Sequence, residues 1–219
     1  MPKRPRSVLD LPQSVPVFPL SGALLLPRTH RPLNVFEPRY LAMVDDALAG
    51  DRLIGIIQPQ GADEESPQGE APLRTIGCLG RLTHFEESAE NRYFIILEGV
   101  TRFRVLAEEP FAGPYRRCFI DAAPYAGDFT EEDASSVDRS RFLKMMRDYA
   151  EFANFELNWD EIDKTATNDL VNFCCMVSPY GPAEKQALLE AKSLNERAET
   201  LIAIAELEMA RGGTGAPLQ

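Results

Sequence analysis

The sequence predicts an α+β chain, in which a sheet or barrel of short strands crossed by one helix is followed by a bundle of helices. Three observations lead there. Residues 15 to 122 alternate short β-like runs with turn residues, whereas residues 136 to 211 hold only helical periodicity. The charge balance changes near the same place, from 14 Lys and Arg against 16 Asp and Glu in residues 1 to 122 to 9 against 18 in residues 123 to 219. The expected divisions are a flexible N-terminus over 1–12, a barrel over 13–125, a helical bundle over 126–211 and a flexible tail over 212–219.

Taken in order, Val15-Pro-Val-Phe-Pro-Leu, then Leu24-Leu-Leu-Pro, then Arg31-Pro-Leu-Asn-Val-Phe-Glu-Pro-Arg-Tyr-Leu read as a strand, a Pro-framed loop, a strand and a helix start. Proline fixes φ and withholds a backbone donor, so this stretch should be rigid. Pro38 suits a first helical position, Tyr40, Leu41, Val44 and Leu48 repeat at helical spacing, and Gly50 can take the left-handed stop. This helix should lie across an open end of the barrel. Strands follow over 53–58, 75–85, 93–98 and 115–122, with Gly50, Gly99 and Gly113 as turns. Between them, residues 102 to 108 set Phe103, Val105 and Ala107 opposite Arg102, Arg104 and Leu106, the period-two pattern of a half-buried strand. Residues 60 to 70 are polar and acidic, and read as a surface loop.

The helical part opens after an acidic connector, Gly127-Asp-Phe-Thr-Glu-Glu-Asp, at the start signal Ser135-Ser-Val-Asp. Phe142, Met145, Met146, Tyr149, Phe152 and Ala153 make one apolar stripe. A second helix is expected over about 160 to 177, capped by Asn158 and Glu161 and presenting Ile162, Ala166, Leu170, Phe173 and Val177. Pro182 starts a third, through Leu188 and Leu189. A fourth carries Leu194, Ala198, Leu201, Ala205 and Met209 and ends at Gly212-Gly213.

Composition narrows the function classes. With 44% hydrophobic and 26% charged residues the chain is of ordinary globular type, and no apolar run approaches the roughly 20 residues that cross a bilayer. The basic start Met1-Pro-Lys-Arg-Pro-Arg lacks the apolar segment of a secretory signal, so a cytoplasmic protein with no membrane partner is expected. The net charge of -11 repels phosphate backbones and disfavours nucleic acid as a partner. Cys78, Cys118, Cys174 and Cys175 show no C-x-x-C spacing, and only His30 and His84 stand beside them, so no metal and no cofactor is expected.

A search for catalytic sets ends the same way. ATP hydrolysis by a P-loop needs a glycine-rich loop before a lysine, and none of Lys3, Lys144, Lys164, Lys185 and Lys192 follows one. The G-x-S-x-G nucleophile elbow is missing too. His30, in a loop between Arg28 and Arg31, and His84, near a strand end, have no second partner in sequence. Asp45-Asp46, Glu86-Glu87, Glu108-Glu109 and Glu131-Glu132-Asp133 read as solvated charge. No catalytic residue is assigned.

The ordered set Pro16-Val-Phe-Pro-Leu, Pro32-Leu33, Phe36-Glu37-Pro-Arg39-Tyr40, Asp51-Arg52, Gly77-Cys-Leu-Gly and Gly99-Val-Thr-Arg-Phe-Arg resembles the N-terminal substrate-binding domain of Lon proteases, and most closely the short bacterial proteins built from that domain alone. The similarity spans residues 13 to 210. It implies a PUA-like pseudo-barrel followed by a helical bundle, and a non-catalytic module that binds hydrophobic, unfolded or damaged polypeptide for an ATP-dependent protease acting in trans. Two sets of residues are candidates for such binding or for locking the fold. Leu24, Leu25, Leu26 and Phe36 offer apolar surface to a client. Glu37, Arg39, Tyr40 and Arg102 offer charge beside a barrel strand, either to fix the fold or to hold a peptide terminus. RNA binding is the competing reading, because PUA-like barrels elsewhere bind RNA and Arg102, Arg104, Arg116 and Arg117 lie close in sequence.

Overall fold

A computed structural model describes residues 4–61, 71–88 and 92–212. Most of the loop expected over 60–70, the first three residues and the tail beyond Gly212 lie outside the described residues. The chain forms two compact units: residues 1–131 with 180–189, and residues 132–179 with 190–219. The boundary thus differs from a single cut near 125, because the segment 180–189 returns to the first unit.

The first unit is built on six strands, β1 (Ser14–Pro19), β2 (His30–Val35), β3 (Leu53–Ile57), β4 (Ile76–Ser88), β5 (Arg92–Glu108) and β6 (Arg116–Asp121), with the helix α1 (Pro38–Ala49) between β2 and β3. The sheet order is β2-β5-β4-β3-β1-β6, and β6 also pairs with β5. Five strands therefore close into a ring, and β2 stays outside it, paired among the described residues with β5. All pairings are antiparallel except β1 with β3, the one pair that a longer connection through β2 and α1 must bridge. Inside the ring, Val15, Val17, Leu53, Ile57, Leu79, Val100, Phe103 and Cys118 form a continuous core.

β5 runs through the two segments expected as separate strands at 93–98 and 102–108. Its first half pairs with β2 and β4, its second half with β4 and β6. The changeover is at Gly99, expected as a turn but found inside the strand. A Cβ there would stand 2.0 Å from the Leu26 carbonyl oxygen, so only glycine lets the 24–27 loop cross β5 so closely. Gly77 likewise leaves room for the Phe103 ring, whose Cζ would lie 2.7 Å from an added Cβ.

Pro38 begins α1 as expected, and Tyr40, Leu41, Met43, Val44 and Ala47 are its buried face. Its stop is different. Gly50 has φ -107° and is not left-handed; the positive φ falls two residues on, at Arg52, whose N–H donates to the Ala47 carbonyl at 2.9 Å.

The second unit holds α2 (Arg139–Ala153), α3 (Trp159–Lys164), α4 (Thr167–Val177) and α6 (Leu194–Gly212), while α5 (Pro182–Glu190) belongs to the first unit through Leu189. The helix expected over 160–177 is two helices. Thr165 ends α3 with its hydroxyl on the Glu161 carbonyl at 2.7 Å, and Ala166 is extended with ψ 148°. Asn158 caps α3 as expected, accepting from the Glu161 N–H at 3.3 Å. Leu170 is buried as expected, but Phe173 and Val177, also expected inside, are exposed, and Val171 and Cys175 are buried instead. The turn of the helix follows Asn172, whose Oδ1 accepts from the buried Arg197 Nη1 at 2.8 Å.

Substituting Gly99→Ala should lower stability by about 3 kcal/mol, because a methyl group is driven against backbone that cannot step aside. Urea unfolding followed by circular dichroism measures it, with Gly22→Ser, in open space at positive φ, as the milder comparison.

Candidate functional site

The sequence candidates fall into three places. Leu24, Leu25 and Leu26 are buried, each no more than 1% exposed, so they are packed inside the first unit and do not line an open groove. A tight turn explains this: the Thr29 hydroxyl donates to the Leu26 carbonyl at 2.7 Å, and the Leu26 N–H donates back to that hydroxyl at 3.1 Å. Phe36, by contrast, is 64% exposed at the end of β2.

Glu37, Arg39 and Tyr40 do meet at the start of α1. The Arg39 Nη2 lies 2.8 Å from Glu37 Oε2, its guanidinium sits over the Tyr40 ring at 4.5 Å, and that ring packs on Phe18 at 4.2 Å. Burial raises the Tyr40 phenol above its usual pKa. The ion pair is half-exposed, where such pairs contribute well under 1 kcal/mol.

Arg102 belongs to a different cluster. Periodicity set it on the solvent face of its strand, yet it is 5% exposed. Its backbone N–H and Nε donate to Asp128 Oδ2 at 2.8 and 3.0 Å, and Nη2 donates to Oδ1 at 2.7 Å. Nη1 reaches the Leu189 carbonyl of α5 at 3.3 Å, and the guanidinium lies 5.0 Å from the Tyr125 ring. Asp128, read as part of an acidic connector, is buried in a 3-10 helix over Ala123–Phe129. The other end of α5 is held by an amide chain that the sequence did not signal. Gln58 Nε2 donates to the Pro182 carbonyl at 3.0 Å and to Gln186 Oε1 at 3.1 Å, while Gln58 Oε1 accepts from the Gly22 N–H at 3.0 Å.

Several acidic residues read as solvated charge have partners too. Glu108 binds Arg116, and Glu109 binds Arg117 at 2.9 Å and the Ser14 hydroxyl. Glu132 accepts from the buried Arg197 at 2.9 Å in the second unit. Of the four arginines that favoured RNA, Arg102, Arg116 and Arg117 each face a carboxylate, and Arg104 is exposed. Beside them a cleft of about 140 Å³ lies between β1, α1 and β6, where the Tyr115 hydroxyl donates to Asp46 Oδ2 at 2.7 Å. Burial and then Asp46 push the Tyr115 phenol up to about 12.

Thiol chemistry is poorly served. Burial pushes Cys118 up to about 11 and Cys174 up to about 12, away from the thiolate that reacts. His84 lies 3.9 Å from Glu86 on an exposed strand, and His30 opens β2. Among the described residues no three His, Cys, Asp or Glu side chains converge as metal ligands would, and no helix is long and apolar enough to cross a membrane.

The class these features define is an α+β domain, a small pseudo-barrel with an added helical unit. Two solved structures share the fold at 18% identity: a Lon N-terminal domain protein from Xanthomonas campestris, with a TM-score of 0.60 over 87% of this chain and 97% of that one, and the N-terminal domain of Mycobacterium avium complex Lon protease, with 0.63 over 88% and 98%. The family "ATP-dependent protease La (LON) substrate-binding domain" matches residues 14–206, and the chain belongs to it. Among relatives, Lon protease 2 of Myxococcus xanthus is 34% identical over 113 residues, 52% of this chain and 13% of that protein. The Lon protease of Flavobacterium johnsoniae is 27% identical over 199 residues, 88% of this chain and 24% of its own length. The chain thus spans between an eighth and a quarter of these two relatives.

Removing one partner of the buried pair leaves the other charge stranded. Asp128→Asn should cost about 3–5 kcal/mol, and Arg102→Met with Asp128→Leu together distinctly less than the two single changes summed. Denaturant unfolding of the four proteins closes the cycle. A second expectation concerns alkali: because the folded-state pKa of Tyr115 is raised, its contribution to stability is complete below about pH 10 and is lost as the pH rises through about 12. Thermal unfolding between pH 9 and 12 should show a shallower decline for Tyr115→Phe than for the parent.

Proposed function

We propose that this chain is a non-catalytic recognition module that binds hydrophobic, unfolded or damaged polypeptide and presents it to an ATP-dependent protease acting in trans, in the cytoplasm. The match of residues 14–206 to a substrate-binding domain carries this reading. The side chains support it: buried, up-shifted thiols and isolated histidines offer no activated nucleophile, while Phe36, Leu106, Phe119 and Phe173 leave apolar surface in water. Binding is expected to be selective for chains that expose apolar segments, since folded proteins bury them.

The test pairs one protein with itself. A reduced, alkylated and permanently unfolded protein should bind at micromolar concentration in fluorescence anisotropy, and its native, disulfide-bonded form should not. Equal binding of both forms, or of neither, defeats the reading. In the same assay, turnover of fluorogenic peptides and esters should be absent.

A further inference from the structure

Among the described residues the outer edge of β2 has no strand paired to it, and its polarity can be read from its neighbours. The Arg28 N–H donates to the Gly99 carbonyl at 2.8 Å, and the Gly99 N–H donates to the Thr29 carbonyl at 2.8 Å. Two residues further along, the antiparallel register sets Arg31 against Leu97, then Leu33 against Ile95 and Val35 against Tyr93. Hydrogen-bonded pairs in such a ladder recur at every second residue. Arg31, Leu33 and Val35 are therefore bonded to β5, and the backbone groups of His30, Pro32 and Asn34 point the other way.

Among the described residues β2 has no strand partner besides β5, and His30, Pro32 and Asn34 are all exposed. Pro32 fits that side, because a proline in a strand is tolerated where its missing N–H faces away from the ladder. The edge so presents three carbonyls and two N–H groups. Side chains flank it on both faces, with Pro32, Phe94 and Ile96 on one and the half-buried Leu33 on the other, and Phe36 follows at its end.

We infer that this edge is where polypeptide docks, as an extended segment that adds a strand beside β2; the inference rests on the polypeptide-binding reading above. The occupant is a heterologous unfolded chain and not a second copy, for a reason Pro32 supplies. Full-length antiparallel pairing of two β2 strands centres on Pro32 against Pro32, and both central hydrogen bonds are lost. A foreign strand with N–H groups at every position loses one. Backbone pairing accepts almost any sequence without proline, and the flanking apolar side chains favour alternating Val, Ile, Leu and aromatic residues.

The test follows amide exchange by NMR on the full chain, with a reduced and alkylated unfolded protein as probe. In the free protein the His30 and Asn34 amides should exchange fast and those of Arg31, Leu33 and Val35 slowly. Adding the probe should slow His30 and Asn34 at least about tenfold while the other three hold. In parallel, Asn34→Pro deletes an outward N–H without touching the ladder and should weaken binding at least about fivefold, whereas Asn34→Ala keeps the N–H and should bind like the parent. If the parent binds the probe but exchange at His30 and Asn34 is unchanged, the edge is not the site, although polypeptide binding stands. If the parent fails to bind, both readings fall together. Concentration-dependent dimerisation in sedimentation that Asn34→Pro abolishes would assign the edge to self-pairing and overturn the inference.

Discussion

The first unit depends on one buried ion pair. Arg102 and Asp128 sit where water is excluded, and a guanidinium taken from water must find nearly all of its hydrogen bonds again. Here the carboxylate accepts from the guanidinium on both oxygens and from the Arg102 backbone on one, and the Leu189 carbonyl and Tyr125 ring occupy the rest of the guanidinium. Three stretches of chain meet there: β5, the 3-10 helix after β6, and α5. A pair of this kind adds little net stability compared with an apolar replacement, but stranding either charge is costly, which favours the arrangement that keeps every bond. That is how a helix more than fifty residues beyond the barrel in sequence comes to belong to it. The amide chain of Gln58 and Gln186 makes the second contact along the same helix.

What could be read from the sequence follows from the range of each signal. Local signals worked. Pro38 opens α1, Asn158 caps α3, and the alternation of Phe103 with Arg104 places one inside and the other in water, because these depend on residues a few positions away. Signals that depend on a distant partner did not. Arg102 was set outside because arginine is polar, and it is Asp128, which itself read as part of an acidic connector, that offsets the cost of burying it. Gly99 read as a turn because glycine usually marks one, yet the cause lies in the Leu26 backbone crossing it. In α4, Asn172 turns inward to meet Arg197, and that rotates Phe173 and Val177 into solvent.

The candidate site shows the same division. Apolar character alone marked Leu24, Leu25 and Leu26 together with Phe36, but a Thr29-closed turn buries the three leucines and leaves the phenylalanine out. No composition signal distinguishes these outcomes. The β2 edge was invisible for a further reason: it consists of backbone, which every residue has. Pro32 was the one residue whose chemistry bore on it, and its meaning changes with context. Within the sequence motif it reads as a rigid frame, whereas on β2 it lies where the missing donor costs no ladder bond.

A strand edge also suits the proposed task better than a cavity does. The cleft beside Tyr115 has about 140 Å³, less than a drug-sized ligand needs. A shaped pocket selects side chains, while clients that share only the loss of their fold have no side chain in common. What they share is unpaired backbone and exposed apolar residues, and an edge flanked by Pro32, Leu33 and Ile96 offers the complement of both. The hazard of such an edge is association with itself. Pro32 counters it by removing a donor from each copy, and the net charge of -11 adds repulsion between copies. The same proline that limits self-pairing leaves enough of the edge to receive a foreign strand, so binding and solubility are set by one residue in opposite directions.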